Sequence, residues 1–271
     1  SAARASVIGG FAGTSDLEAG KRYGIPVIGT AAHAFTLLHD SERQAFDAQI
    51  ASLGPNTTLL VDTYNVTEGV KTAVEAARAA GGELGAVRLD SGDLVAQAFT
   101  VRGQLDSLGA TSTKITVARG AIAALGAAPV DSYGVGTRLI TGSGVPTAAL
   151  VYKLVSRENH EGTMVGVAKK SASKNTVAGK KYAGRLYDED GYASEEVLVT
   201  GSAEEAAAFF EENGARALQV PLIVDGKILA EGWSSEALDQ AQARHLRSRN
   251  ELPYQAWRLS EGEPAIPTRY V

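Results

Sequence analysis

The chain has 271 residues, 44% of them hydrophobic, enough to fill one large core or two smaller ones. Its 26 Lys and Arg against 31 Asp and Glu leave a formal charge of −5, which argues against a nucleic-acid partner held by bulk charge. Cysteine is absent, which excludes disulfides, thiolate catalysis and Cys-ligated metals, and no apolar run approaches the ~20 residues of a membrane span. No signal peptide is visible, so a cytoplasmic protein without a membrane partner is the expectation, although Ser1 follows no Met.

Strand and helix alternate through the first 157 residues. IPVIGT (Ile25–Thr30) reads as a strand, followed by a helix over Ala31–His39. Ser41–Leu53 reads as a helix with Ser41 as N-cap, and Thr57–Asp62 (TTLLVD) as a strand. A helix is expected over Thr67–Ala80, opened by Thr67 and closed by Gly81 and Gly82. Ala86–Ser91 reads as a strand, Asp93–Leu108 as a helix, Lys114–Ala118 as a strand and Ala121–Ala128 as a short helix. Ser132–Thr137 (SYGVGT) is a strand end, and Ala148–Ser156 the last strand of the series. This is βαβ alternation, hence a parallel sheet with strands apolar on both faces.

After Arg157 the pattern changes to short antiparallel strands, at Met164–Ala168, Tyr182–Tyr187 and Glu196–Val199, and a hairpin over Leu218–Ala230 turning at Asp225-Gly226. Helices are expected over Ser202–Asn213 and Ser234–Asn250. The reading is two regions, an α/β domain over 1–157 and a smaller β-containing domain over 158–271.

Polar residues gather where the strands of the first region end. His33 follows IPVIGT; Thr63, Tyr64 and Asn65 follow TTLLVD; Asp90, Ser91 and Asp93 follow AVRL; Thr137 and Arg138 follow SYGVG. Ligand sites of parallel α/β sheets form at that end of the strands. Arg88, Asp90 and Asp93 in one short run are costly to bury unless they pair or face a charged ligand. Asp90 and Asp93 suit Mg²⁺ shared with phosphate oxygens, while Asp93 also suits the N-cap of the following helix. Arg88 suits an ion pair with either aspartate, an anion, or an aromatic ring. Gly134, Gly136 and Thr137 suit a phosphate cradle or only a tight turn. A neutral imidazole at His33 is a nucleophile if it is not simply structural. His39, His160 and His245 lie away from strand ends and read as bland.

Taken together, GTSDLEAGKRYGIPVIGTAAHAF, LLVDTYN, VRLDSGDL, DSYGVGT and VAKKSASK resemble the motif series of nicotinate phosphoribosyltransferase, in order, from Gly9 to Val271. The resemblance implies a type II phosphoribosyltransferase, an irregular, incomplete TIM-like α/β barrel with a second, β-containing domain. It implies that nicotinate and 5-phosphoribosyl 1-pyrophosphate give nicotinate mononucleotide and pyrophosphate, coupled to ATP hydrolysis with Mg²⁺, in NAD salvage. It implies a phosphorylated His33, Arg88 holding the pyridine ring and a phosphate, and Asp90 near ribose and pyrophosphate. Gly134, Gly136 and Thr137 would bind the 5′-phosphate, Thr14 and Ser15 would lie near the base, and Thr30 and Asp62 complete the binding set. A homodimer with shared base pockets is expected.

Four departures from the family pattern stand out. An N-terminal segment with base-pocket aromatics is missing, and Asp16 and Ala34 stand where Asn and Ser are usual. KITVARGAIAAL runs almost directly from strand to helix where the family has a longer acidic loop. Connections of this kind usually take 2–6 residues, so residues are expected to be missing between Val117 and Ala121. The alternatives are a nicotinamide or quinolinate enzyme, the latter disfavoured by GTAAH with LLVDTYN, or a non-catalytic phosphate-binding fragment.

Overall fold

A computed structural model describes residues 2–118, 128–141, 150–171, 174–229, 235–257 and 262–271. The chain divides into two compact units, Ser1–Ala178 and Gly179–Val271, so residues 158–178 fold with the first.

In the first unit, α1 (Ala2–Ile8), α2 (Leu17–Tyr23), α3 (His33–Leu37) and α4 (Glu42–Leu53) precede β1 (Thr58–Leu60), α5 (Val66–Ala79), β2 (Ala86–Leu89), α6 (Leu94–Ser107), β3 (Lys114–Ala118), β4 (Ser132–Gly134) and α7 (Thr137–Thr141). Strands β1 to β4 form an open sheet in sequential order, each pair parallel. No closed sheet appears among the described residues, so the finding is a mixed α/β unit with a parallel sheet. The core is the seam between sheet and helices: Leu59, Val61, Val87, Leu89, Ile115 and Val117 meet Phe46 and Ile50 of α4, Val70 and Val74 of α5, and Val101 and Leu105 of α6.

Local chemistry sets the helix starts. Ser41 Oγ accepts from Gln44 N, and Asp93 Oδ1 from Val95 N and Ala96 N, satisfying first-turn donors. α5 starts one residue earlier than expected, because Asn65 rather than Thr67 is its cap, accepting from Glu68 N. α5 also lies unusually close to the sheet. A Cβ built on Gly69 would stand 2.4 Å from the Val61 carbonyl oxygen. Helix propensity alone would favour Gly69→Ala by up to about 1 kcal/mol. Backbone cannot rotate out of the way, so we expect a net loss of about 1–3 kcal/mol, read as a lower urea midpoint.

Two expected strands are corrected. Ile25–Thr30 makes only one parallel bridge, Val27 to Thr14, and Ile28 is 55% exposed. Of Ala148–Ser156, the described stretch from Leu150 to Val155 is not strand, and Leu150 and Tyr152 are more than 90% exposed. An apolar run becomes a strand only where a neighbouring strand takes its hydrogen bonds, and neither has one among the described residues. The expected helix Ala121–Ala128 and the Val117–Ala121 junction fall on 119–127, outside the described residues save Ala128. The unit closes with β5 (Ser156–Glu158) antiparallel to β6 (Met164–Gly166), then β7 (Lys170–Ser171) antiparallel to β8 (Lys174–Asn175).

The second unit is built on β9 (Lys181–Tyr187) and β10 (Ala193–Thr200), followed by α8 (Ala203–Glu212), β11 (Arg216–Ala217), β12 (Ile223–Val224), β13 (Lys227–Ile228), α9 (Ser235–Asn250) and β14 (Thr268–Tyr270). Its four-stranded sheet has the order β11-β9-β10-β14, with β14 parallel to β10. Ser202 and Glu205 form a capping box on α8. β12 and β13 turn at Asp225-Gly226, both with positive φ, as a two-residue hairpin of this sequence should. No helix among the described residues is long and apolar enough to cross a membrane.

Candidate active site

The exits of β1 and β2 are tied together by one carboxylate. Asp62, buried just beyond β1, accepts from Asp90 N at 3.2 Å and from Ser91 Oγ at 2.5 Å. Gly92 makes this possible. At φ +85 it turns the chain so that Ser91 faces Asp62 while Asp93 caps α6. The AVRLDSGDL run thus divides its polar groups between a site and a helix terminus.

His33, the first residue of α3, enters this cluster with a side chain 19% exposed. Its Nδ1 lies 3.1 Å from Thr63 Oγ1 and its Nε2 2.6 Å from Lys169 Nζ. Nε2 is also 3.7 Å from Asp62 Oδ1 and 3.8 Å from Asp90 Oδ2. Lys169 Nζ reaches Asp62 Oδ2 and Ser91 Oγ, both at 3.5 Å. Arg88, from β2, stands 3.5 Å from Asp90 Oδ1 and donates from Nη1 to Thr30 Oγ1. Two cations and two carboxylates therefore surround one imidazole. Burial and the Lys169 and Arg88 charges lower the His33 pKa, against the opposing pull of Asp62 and Asp90. The lowered value favours the neutral ring, the form with a nucleophilic lone pair.

Behind the cluster, burial and the Asp62 charge push the Glu42 carboxyl up to about 7. Among the described residues neither Glu42 Oε1 nor Asp62 Oδ1 has a hydrogen-bond partner. A raised carboxyl binds its proton more tightly in the folded state. Its contribution to stability is therefore full below the ordinary 4.5 and is lost as pH rises through about 7. Glu42→Gln is expected to flatten that fall, measured as urea midpoints below pH 4.5 and above pH 7.

Of the residues expected from sequence, His33, Thr30, Asp62, Arg88 and Asp90 come together. Asp93 does not, since its Oδ1 serves the first turn of α6 and no hydrogen bond or ion pair joins it to the cluster among the described residues. Among the described residues no group of three or more His, Asp or Glu is arranged to hold a metal. Thr14 lies in the bridge to Val27, its Oγ1 accepting from Asp16 N, and Ser15 is exposed. Asp16 caps α2, work that Asn does equally well. Gly134 and Gly136 are exposed at the end of β4, with nothing within 4 Å of a Cβ built on Gly136, and Thr137 starts α7. The Arg138 side chain lies outside the described residues. Away from the cluster, His39 Nδ1, two residues beyond α3, contacts the Phe35 carbonyl of that helix, and His160 is an exposed partner of Asp40.

Thr63 and Ser91, read from sequence only as members of the strand-exit clusters, join the site, and Lys169 and Glu42 belong to it or its support without having been singled out. VAKKSASK was the one signal for Lys169, and nothing in its spacing told which lysine turns inward.

No protein-family model matches the chain. It is 48% identical over its whole length to the nicotinate phosphoribosyltransferase pncB1 of Mycobacterium tuberculosis, of which the match covers 59%. It is 36% identical over 93% of its length to pncB2 of the same organism, covering 55% of that protein. The nicotinate phosphoribosyltransferase of Bacillus subtilis is 38% identical over 71% of this chain and 41% of its own length. The chain thus spans about three fifths of the length of the first of these curated relatives.

Proposed function

Because the chain belongs to the nicotinate phosphoribosyltransferase family, we propose that its protein joins nicotinate to 5-phosphoribosyl 1-pyrophosphate. The products are nicotinate mononucleotide and pyrophosphate, in NAD salvage, with coupled ATP hydrolysis. The observation that carries this reading is the meeting of His33, Asp62, Arg88, Asp90 and Lys169 at the C-terminal ends of adjacent parallel strands.

Transfer at the anomeric carbon builds positive charge on the ribose while pyrophosphate departs, so positioning and charge compensation dominate. Asp90 is suited to face the ribose, and Arg88, held by Thr30, to meet a phosphate or the pyridine ring. Gly134, Gly136 and Thr137 are the proposed 5′-phosphate cradle. β4 is two strands from β2, about 10 Å at ordinary strand spacing, which suits one sugar phosphate laid across the sheet edge. Thr14 and Ser15 are proposed near the base.

The Asp90 carboxylate accepts no hydrogen bond among the described residues, so it fits as a hard oxygen donor for Mg²⁺ shared with substrate phosphates. The ion would neutralise the departing pyrophosphate. The open parallel sheet is read as part of an irregular, incomplete barrel, and the assembly as a cytoplasmic homodimer.

The test is pyrophosphate release by the full-length protein, with and without ATP. Release that needs nicotinate and is stimulated by ATP is expected. Release no greater with nicotinate than with nicotinamide or quinolinate would overturn the substrate assignment.

A further inference from the structure

An imidazole has two nitrogens, and only the one without a proton attacks phosphorus. At His33 the neighbours decide which. An ammonium has three donors and no acceptor, so the 2.6 Å contact makes Nε2 of the neutral ring the acceptor of a Lys169 N–H. The single ring proton then sits on Nδ1, donated to Thr63 Oγ1 at 3.1 Å. The remaining neighbours of Nε2 pull the other way. The carboxylates of Asp62 and Asp90, at 3.7 and 3.8 Å, only accept, and without the lysine they would draw the proton onto Nε2. Lys169 is itself held in place by Asp62 Oδ2 and Ser91 Oγ.

We propose that Lys169 is the positioning residue of the phosphoryl acceptor: it holds His33 in the Nδ1–H form with Nε2 as nucleophile, and passes its N–H from Nε2 to the γ-phosphoryl oxygens of an incoming nucleoside triphosphate. The transfer half rests on the ATP-coupled reading above. The Nε2 lone pair forms the bond to the γ-phosphorus, the bond to the β-bridging oxygen breaks, and its electron pair leaves with the nucleoside diphosphate. The Nδ1 proton stays on the ring, facing Thr63. The ammonium then neutralises charge on the phosphoryl oxygens where before it occupied the attacking nitrogen, so the resting contact also shields Nε2 from water.

The experiment uses full-length protein with ¹⁵N-labelled histidine, as wild type, Lys169→Met and Lys169→Arg. Without nucleotide, NMR is expected to show Nδ1–H at His33 in the wild type, Nε2–H in the Met variant, and Nδ1–H again in the Arg variant, which keeps a donor. With γ-labelled ATP, wild-type phosphate is expected on Nε2, and the Met variant is expected to label about 10²-fold more slowly. The same tautomer in wild type and Met variant, or wild-type label on Nδ1, overturns the proposal. If the Met variant fails to fold, an Nε2–H tautomer in the wild type or the Arg variant still overturns it. Absence of any label on wild-type His33 would sink the ATP-coupled reading instead, and the nucleotide-free tautomer measurement then decides the role of Lys169 by itself.

Discussion

Replacing His33 by alanine is expected to abolish ATP stimulation of pyrophosphate release while leaving a slow, ATP-independent transfer. The ring is the proposed phosphoryl acceptor, and burial, which lowers its pKa, favours its neutral form. The groups proposed to meet ribose and phosphate, Arg88 and Asp90, keep their mutual contact when the ring is removed. Lys169 keeps Asp62 as a partner, so the alanine variant strands no buried charge. The check is acid-labile phosphate from labelled ATP on the purified variant, beside initial rates with and without ATP. Undiminished label would mean that another residue takes the phosphoryl group.

Arg88→Ala and Asp90→Asn should each lower turnover by at least ~10²-fold, the usual cost of deleting one preorganised charge at a developing one. The two act differently. Arg88 also donates to Thr30, so its loss releases the 24–32 segment and should raise KM as well as lower kcat. Asp90→Asn keeps the backbone N–H that Asp62 accepts, so the fold is retained and the loss should fall mainly on kcat. Arg88→Lys is not expected to rescue, because a single ammonium cannot reach both Thr30 and the Asp90 side with fixed geometry. Steady-state kinetics across the three variants separates these outcomes. Equal kcat in wild type and Asp90→Asn would remove Asp90 from the reacting centre.

What was legible in the sequence is what adjacent residues decide. Ser41, Asp93 and Ser202 announce their helices because a side-chain oxygen two or three residues ahead of a free N–H is a local matter. Asp225-Gly226 announces its hairpin for the same reason. The strand exits could be read too, since apolar runs ending in Asp62 and Asp90 mark where the buried sheet meets polar surroundings. Ile25–Thr30 and Leu150–Val155 were misread because apolar content alone does not supply a hydrogen-bonding neighbour. Asn65 displaced Thr67 as a cap because two good capping residues stand two apart. Glu42 looks like any first-turn acid of a helix; only the fold buries it near Asp62.

The contact between Lys169 and His33 joins residues 136 apart in the chain. At ribosomal rates of about 5–20 residues per second, roughly 7–27 s separate the synthesis of the two. During that interval the parallel strands and their helices have all been made, and Asp62 and Asp90 can already meet. His33 then has only carboxylates at Nε2, so the nascent imidazole is drawn toward the unreactive Nε2–H form. On the role proposed for Lys169, the acceptor is armed only when the segment carrying that lysine docks, and phosphate uptake becomes a late reporter of folding. In refolding from urea, labelling competence is expected to lag behind the return of helical signal.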